Sequence, residues 1–312
     1  MSSPGTARTQ VLTASVLFGT TGTAQALGPG IQPLAVGTAR IVVGAALLIL
    51  VALASGGGLK LGGGDRRLVL LAGLFVASYQ ASFFAAVAET GVAVGTVVAL
   101  GSAPAWTGLF GRVFTGERLA RRWFVATGLA CAGVVLLTLG GSAGGTVSVP
   151  GVALALASGA GYAGYAVAGK RLLDRGGTPE GVMAAVFGTG ALVLLPALAL
   201  VPTANLFTAQ GIALAAYLGA LPTALAYVLF ARGLSRIGAG ETATLTLAEP
   251  VTAMALGFVV LGERPGAAAV AGGALVLAGL AALVLRPEPK LRIRSRPAEA
   301  AAWAVADPRN RW

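Results

Sequence analysis

Stretches without a charged side chain recur along the chain, and clusters of Gly and Pro divide them. A helix of about 20 apolar residues crosses the hydrocarbon core of a bilayer, and two stretches, 123–169 and 181–231, are long enough for two such helices. Turn-forming clusters divide these stretches at Gly140–Gly145 and Pro202–Asn205, and another at Gly28–Gly30 follows the first apolar run. The pattern predicts an all-α integral membrane protein with ten transmembrane helices, at 11–27, 34–54, 68–88, 92–111, 122–139, 150–169, 181–201, 211–231, 240–261 and 266–285.

The composition agrees with a protein that lives in a bilayer. Of the 312 residues, 56% are hydrophobic and 11% are charged, and the mean hydropathy is +0.84. Soluble domains average about 25% charged residues, and a chain with so few could not cover a surface that faces water. His is absent and Cys131 is the only cysteine, so we expect no disulfide framework, no metal site and no cofactor.

The positions of Lys and Arg predict an orientation. With the N-terminus in the cytoplasm, the cytoplasmic loops receive nearly all the cations, the outer side receives Arg264, and Arg40 lies within a helix. The positive-inside rule therefore predicts cytoplasmic N- and C-termini. We expect a short polar N-terminus at 1–10 rather than a signal peptide, and a disordered basic tail at 286–312. The bias toward Ala, Gly, Val and Arg favours a bacterial inner membrane. The net charge of +11 follows from this topology, so we expect no nucleic-acid partner.

The two halves of the chain match when one is shifted by 146 positions. Pro104 then falls on Pro250, and Gly116-Glu117-Arg118 falls on Gly262-Glu263-Arg264. Five helices in each half is an odd number, so the second half enters the membrane from the opposite face. The shift therefore predicts two inverted five-helix repeats, at 11–140 and 150–285, with a binding site near the midplane between them. We expect the Gly-Glu-Arg triplets to cap helix ends and reach the membrane surface.

The chain resembles the EamA-domain transporters of the drug/metabolite transporter superfamily over about residues 10–286. The resemblance is carried by Val94-Gly95-Thr96 with Ser102-Ala103-Pro104, Leu247-Ala248-Glu249-Pro250, both Gly-Glu-Arg triplets, Phe18-Gly19 and Gly37-Thr38-Ala39-Arg40. It implies transport of small molecules, since the family includes exporters of amino acids, other metabolites and drugs. One departure lies at Tyr162 and Tyr165, in a segment where many relatives carry a Trp that this chain lacks.

Glu249 is the strongest candidate for a functional residue. It is a carboxylate in the middle of a predicted span, where a charge costs at least about 2.5–3.5 kcal/mol. Its repeat partner is Ala103, so the fold does not require a carboxylate at this position. We expect Glu249 to titrate a proton for coupling or to bind a substrate ammonium. The alternative is a structural glutamate that joins its helix to a neighbour.

Arg40 is the second charged residue inside a predicted span. It is a candidate to attract a substrate carboxylate, but we favour a structural role, in which it extends to the outer boundary or pairs with Glu89. The remaining candidates are polar or aromatic side chains inside predicted helices, for which hydrogen bonding between helices is the alternative. Together the candidate substrate-binding residues are Glu249, Gln80, Tyr79, Tyr162, Gln25, Trp106, Tyr227 and Arg40.

These features predict a secondary transporter rather than an enzyme. We expect an exporter of amino acids or of related small metabolites or drugs that works by alternating access, as a monomer or a homodimer. Proton coupling and facilitated diffusion both stay open. The alternatives are a membrane-embedded enzyme, which the scattered acidic residues and the lack of His disfavour, and a channel or scaffold protein, for which no filter loop is recognisable. The Gly-rich runs lack a Walker pattern, which disfavours a nucleotide site.

Overall fold

The computed structural model describes residues 4–28, 30–61, 66–139, 148–262, 264 and 266–284, and within these ranges the chain is helical without a β-strand. The α-helices are α1 Pro4–Leu27, α2 Pro33–Ala54, α3 Arg66–Phe110, α4 Arg121–Leu139, α5 Val149–Asp174, α6 Pro179–Leu194, α7 Ala209–Gly219, α8 Ala226–Leu234, α9 Ala239–Leu245, α10 Ala248–Leu261 and α11 Ala267–Val284. The predicted turn at Gly140–Gly145, the residue Glu263 and the basic tail 286–312 lie outside the described residues.

Seven helical segments of the described chain are long and apolar enough to cross a membrane. They are Pro33–Ala54, Arg66–Thr90, Val149–Asp174, Pro179–Leu200, Ala209–Leu234, Ala239–Leu261 and Ala267–Val284. Several of these segments carry large apolar side chains on their outer surfaces, such as Leu192 and Val259, which are 73% and 75% exposed. Such surfaces are stable when lipid surrounds them, and the chain is therefore a multi-pass membrane protein.

Helix α1 begins earlier than the hydrophobic pattern predicted. It starts at Pro4 rather than near residue 11, and its first two turns carry the buried residues Ala7 and Arg8. Arg8 forms an ion pair with Glu241. A paired charge can extend a buried helix beyond its apolar run, and a search for apolar residues alone misses such an extension.

Helix α3 reverses its direction near Thr90. Eight residues of a straight α-helix span about 12 Å, yet a Cβ placed on Gly95 would lie 3.2 Å from the backbone N of Val87. Contacts with α5 show the same reversal of α3. Gly159 of α5 contacts Ala99, after Thr90, while Gly161, two residues later, contacts Tyr79, before Thr90. The two arms of α3, before and after Thr90, therefore lie side by side against α5.

Two of the spanning segments are interrupted helices. A π-helical segment, Ala220–Leu225, separates α7 from α8. It contains Pro222, which has no N–H to bond the carbonyl of Leu218, and the Thr223 hydroxyl donates to that carbonyl at 2.7 Å. Likewise, Pro250 cannot bond the carbonyl of Thr246, which instead accepts from the N–H of Glu249 at 2.9 Å. This shorter bond accompanies the break between α9 and α10.

Close glycine contacts join the two halves of the chain in matching pairs. A Cβ on Gly73 of α3 would lie 3.1 Å from the backbone N of Gly190 in α6. A Cβ on Gly219 of α7 would lie 3.1 Å from the backbone N of Gly44 in α2. A shift of 146 positions converts one pair into the other, so the two crossings are equivalent.

The contact between α4 and α11 obeys the same shift. A Cβ on Gly133 would lie 2.6 Å from the backbone N of Val276, and a Cβ on Gly279 would lie 2.9 Å from the backbone N of Ala130. Gly133 and Gly279 are 146 positions apart, as are Ala130 and Val276. Small residues allow such close approach of membrane helices, and here they make a contact that is symmetric between the halves.

Candidate functional site

Arg40 points into the interior of the bundle from α2. Its Nη2 donates to Oε1 of Gln80 at 3.0 Å and lies 3.5 Å from the Tyr79 hydroxyl. Gln80 is buried and its amide approaches the carbonyl of Gly37 at 3.5 Å. The Nε of Arg40 is buried and has no hydrogen-bond partner among the described residues. Gln80 therefore orients the guanidinium, and within the described part of the chain the buried Nε–H of Arg40 is an unused hydrogen-bond donor.

Glu249 lies in the first turn of α10, directly after the break that follows α9. The positive end of a helix dipole favours a carboxylate at this position. Helix α1 approaches closely here, because a Cβ on Gly19 would lie 2.7 Å from the carbonyl oxygen of Glu249. The Glu249 residue is only partly buried although it lies deep in the bundle, and it interacts electrostatically with Arg40.

A cluster of aromatic side chains adjoins these residues and belongs to the buried core. Tyr162 is partly exposed, and its hydroxyl is 3.2 Å from Oγ1 of Thr246, one turn before Glu249. The hydroxyls of Tyr165 and Tyr227 are 3.3 Å apart. The rings of Tyr79, Tyr162 and Tyr227 contact that of Tyr165, with centroids 5.1–6.2 Å apart. The cluster presents an apolar wall with hydroxyl groups along it.

Most of the candidate residues come together at this place. The contacts described above link Arg40, Tyr79, Gln80, Tyr162 and Tyr227, and Glu249 joins them through its electrostatic interaction with Arg40. Gln25 is not, since it lies six residues beyond Gly19, about 9 Å further along α1. The ring of Trp106 contacts that of Phe110, with centroids 5.7 Å apart, and no described contact joins it to the cluster.

The predicted environment of Arg40 differs from the observed one, and the prediction is wrong. The residue neither pairs with Glu89 nor extends to the outer boundary, because it bonds Gln80 and Tyr79 inside the bundle. The Glu89 carboxylate instead accepts from the Ser148 hydroxyl at 3.2 Å. The choice between partners depended on the direction in which α2 presents Arg40 to α3, which sequence distance does not reveal.

Three residues of the cluster were absent from the predicted set. Thr246 lies in the break between α9 and α10, where its backbone and hydroxyl are both used. Tyr165 follows Tyr162 by three positions and so shares its helix face, a spacing that could have found it. The ring of Phe187 in α6 lies 4.1 Å from that of Tyr227, and only the tertiary fold brings these two together.

The chemistry of the site is that of a polar cluster in an apolar bundle. An opposed cation and anion, each with accessible surface, flank aromatic rings. Among the described residues, no group of three or more His, Cys, Asp or Glu side chains is placed to hold a metal ion. The arrangement suits a small molecule that carries both charges and an apolar portion.

A family model for the EamA-like transporter family matches residues 8–139 and 149–285. The chain belongs to the EamA-like transporter family. The two matched stretches cover most of the chain and contain every residue of the cluster described above. Membership agrees with the multi-pass helical fold and makes transport the activity of the family to which this chain belongs.

Individual relatives agree with this assignment. The chain is 39% identical over 292 residues to the uncharacterized transporter YwfM of Bacillus subtilis, covering 93% of this chain and 96% of that protein. It is 32% identical over 212 residues to a probable terminal-alkyne amino-acid exporter of Streptantibioticus cattleyicolor, covering 67% and 70% of the two chains. A protein of known crystal structure superimposes with a TM-score of 0.76 at 26% identity, covering 89% of this chain and 96% of that chain.

Proposed function

We propose that the chain is a secondary transporter that exports amino acids or closely related small metabolites by alternating access. The observation that carries the proposal is the opposed pair Arg40 and Glu249 beside a wall of tyrosines. An amino acid carries a carboxylate and an ammonium on one carbon, and the two side chains offer the complementary charges. The similarity to a probable amino-acid exporter supports the same substrate class.

The architecture in this proposal is ten transmembrane helices in two inverted five-helix repeats, 11–140 and 150–285. The reversal within α3 supports the count, because it separates an arm at 66–90 from an arm at 91–110. The glycine contacts related by 146 positions support the repeat. We place both termini in the cytoplasm of a bacterial cell, with the protein in the inner membrane, on the basis of the positive-inside rule.

In the bound state, the substrate carboxylate binds the guanidinium of Arg40 and the substrate ammonium binds the carboxylate of Glu249. The tyrosine wall then faces the amino-acid side chain. When the substrate leaves, the carboxylate of Glu249 faces the cavity without a cationic ligand and can accept a proton. Substrate and proton would compete for one group, which is the requirement for exchange of one against the other across the membrane.

Counterflow in proteoliposomes tests this function. We expect saturable exchange of an aromatic amino acid, and weaker exchange of its methyl ester, which lacks the carboxylate, and of its N-acetyl derivative, which lacks the ammonium. Glu249→Gln should remove the discrimination against the N-acetyl derivative, whereas Tyr217→Phe, on the partly exposed face of α7, should leave it intact. Equal flux of all three compounds through the wild-type protein would refute the assignment of the two charges.

A proton gradient provides the second measurement. We expect a gradient to drive accumulation of the amino acid in the wild-type protein, and to have no effect on the Glu249→Gln variant although counterflow continues. Accumulation by the variant equal to that of the wild type would show that protons are coupled elsewhere. Non-saturable flux would instead identify a channel.

A further inference from the structure

The first turn of α9 is held by a carboxylate from another part of the chain. Glu117 lies in the loop between the π-helical segment Gly111–Thr115 and α4. It accepts from the N–H of Ala239 at 3.0 Å and from the N–H of Gly240 at 3.2 Å. A Cβ on Gly238 would overlap the Glu117 carboxylate, so the start of α9 leaves room for this group.

An ion pair holds the same turn from a second side. Nε of Arg8 in α1 lies 2.6 Å from Oε1 of Glu241 in α9. Arg8 is buried, and its Nη1 also donates to the carbonyl of Val284 in α11 at 3.3 Å. We call Glu117, Arg8 and Glu241 the latch, and the end of the bundle that contains them the latch end.

The latch and the candidate site lie at opposite ends of α9. Seven residues separate Ala239 from Thr246, a distance of about 10 Å along a helix. Between them α9 is buried, with Oγ1 of Thr244 2.8 Å from Oγ1 of Thr127 in α4. The hydroxyl of Ser15 in α1 approaches the carbonyl of Leu245 at 3.4 Å. Helix α9 therefore fills the space between the site and the latch end.

The opposite end of the bundle is built differently. The shift of 146 positions places Leu154 and Gly95 where the latch has Arg8 and Glu241, and these two residues cannot form an ion pair. At that end, the Asn205 amide donates to the carbonyl of Gly30 at 3.2 Å. The adjoining loops surround a depression of about 530 Å³. Among the described residues, the buried ion pair of the latch therefore has no counterpart at the repeat-related positions.

We propose that the latch closes the latch end of the transport path, and that α9 is released from Glu117 and Arg8 each time this end opens. The inference rests on the alternating-access part of the proposed function. It assigns Glu117 and the Arg8–Glu241 pair to gating, at a distance from the substrate. The sequence alone indicated only capping and reach to the membrane surface for the triplet that contains Glu117.

The charge of Glu117 sets the sign of a pH effect on the latch. Burial raises the pKa of Glu117 above its ordinary value of 4.5, against the opposing effect of the two backbone N–H groups. A carboxyl group with a higher pKa in the latched state than in water binds its proton more tightly when latched. Protonation therefore favours the latch, and rising pH weakens it. The charged groups that act on Glu117 are Lys170 of α5 and Glu241 of α9, and the exposed Arg118 of its own loop and Arg122 of α4 line the shallow pocket beside it.

Thiol labelling measures the opening of the latch end without any substrate. The full-length protein carries Cys131→Ser, which removes the native thiol, and Thr242→Cys, which places a reporter at a buried position of α9. A membrane-impermeant maleimide is added on the side of the latch end. Loss of acceptors for buried N–H groups should raise the labelling rate of Glu117→Ala about 10- to 100-fold, equivalent to about 1.4–2.8 kcal/mol.

Two variants separate gating from general loosening. Glu117→Gln keeps one amide oxygen as an acceptor, so its labelling rate should lie close to that of the wild type. Arg118→Ala removes the exposed neighbouring side chain and should label at the wild-type rate. A Glu117→Ala protein that labels no faster than the wild type overturns the proposal, as does an Arg118→Ala protein that labels as fast as Glu117→Ala.

A reversible cross-link tests the latch if Glu117→Ala fails to fold. Arg8→Cys and Glu241→Cys are combined with Cys131→Ser and joined by a short bis-methanethiosulfonate reagent. The cross-linked protein should lose at least about 90% of its counterflow, a tenfold effect, and regain it on reduction. Full counterflow in the cross-linked state overturns the proposal. Labelling of Thr242→Cys stays informative if the protein carries a different class of substrate.

Discussion

Replacing Arg40 by Gln tests whether its guanidinium binds the substrate carboxylate. Gln places an amide at about the position of Nε but is too short to reach Gln80, so the 3.0 Å contact made by Nη2 is lost. The variant also lacks the positive charge and the two terminal Nη groups that could bind a carboxylate. A hydrogen bond to a charged group contributes about 1.5–3 kcal/mol. At about 1.4 kcal/mol for each tenfold change, the variant should bind an amino acid about 10- to 150-fold more weakly.

Calorimetric titration of the purified protein with an amino acid and with its methyl ester measures this effect. The ester cannot use Arg40 fully, so its affinity should change much less than that of the acid. The preference of the wild-type protein for the acid should therefore disappear in Arg40→Gln. Arg236→Gln, at an exposed position beyond α8, removes an equal charge outside the site and should preserve both affinities.

Thermal unfolding of each variant provides the necessary control. Arg40→Gln should fold but unfold at a somewhat lower temperature than the wild type, because the buried Gln80 loses the donor to its Oε1. A folded Arg40→Gln protein that retains the wild-type affinity and the wild-type preference for the acid would refute the reasoning. An equal loss of affinity for acid and ester would show that Arg40 shapes the cavity without binding the carboxylate.

Three further predictions concern packing, gating and the helix break. Gly133→Ala and Gly279→Ala should each lower the free energy of unfolding by about 1–3 kcal/mol, and by similar amounts, because the added methyl group overpacks the helix contact. Gly128 has open space around it, so Gly128→Ala should leave the stability unchanged. Denaturant unfolding measures all three variants. Labelling of the latch end should rise with pH in the wild type relative to Glu117→Gln, and parallel profiles would exclude titration of Glu117. Pro250→Ala restores an N–H donor at the helix break, and we expect it to slow counterflow without changing substrate affinity. Initial rates of counterflow and equilibrium binding measure the two effects separately.

The helices themselves follow from local information. Hydrophobic runs of sufficient length and turn-forming residues between them are enough to locate spanning segments, because every backbone group must be paired within a bilayer. The predicted boundary between 68–88 and 92–111 lies where α3 reverses its direction. The start of α1 was missed, since Arg8 is buried through a partner 233 positions away.

The predicted shift of 146 positions also relates residues that lie at helix crossings. The shift of 146 positions placed Gly133 on Gly279, and the structure shows that both lie at one symmetric contact. The same register relates Gly44 to Gly190 and Gly73 to Gly219. These matches are uninformative in a chain with 47 glycines until the contacts show which of the glycines lie where helices cross.

The sequence by itself determined that the chain is a multi-pass membrane protein of this family, and it marked Glu249 as an unusual charge. Those conclusions depend on composition, periodicity and the cost of a charge in lipid, which are local properties. Only the tertiary structure decided that Arg40 turns inward to Gln80, that Thr246 and Tyr165 join the site, and that Glu117 holds α9. Each of these depends on the direction in which one helix presents a side chain to another, and sequence separation carries no information about that direction.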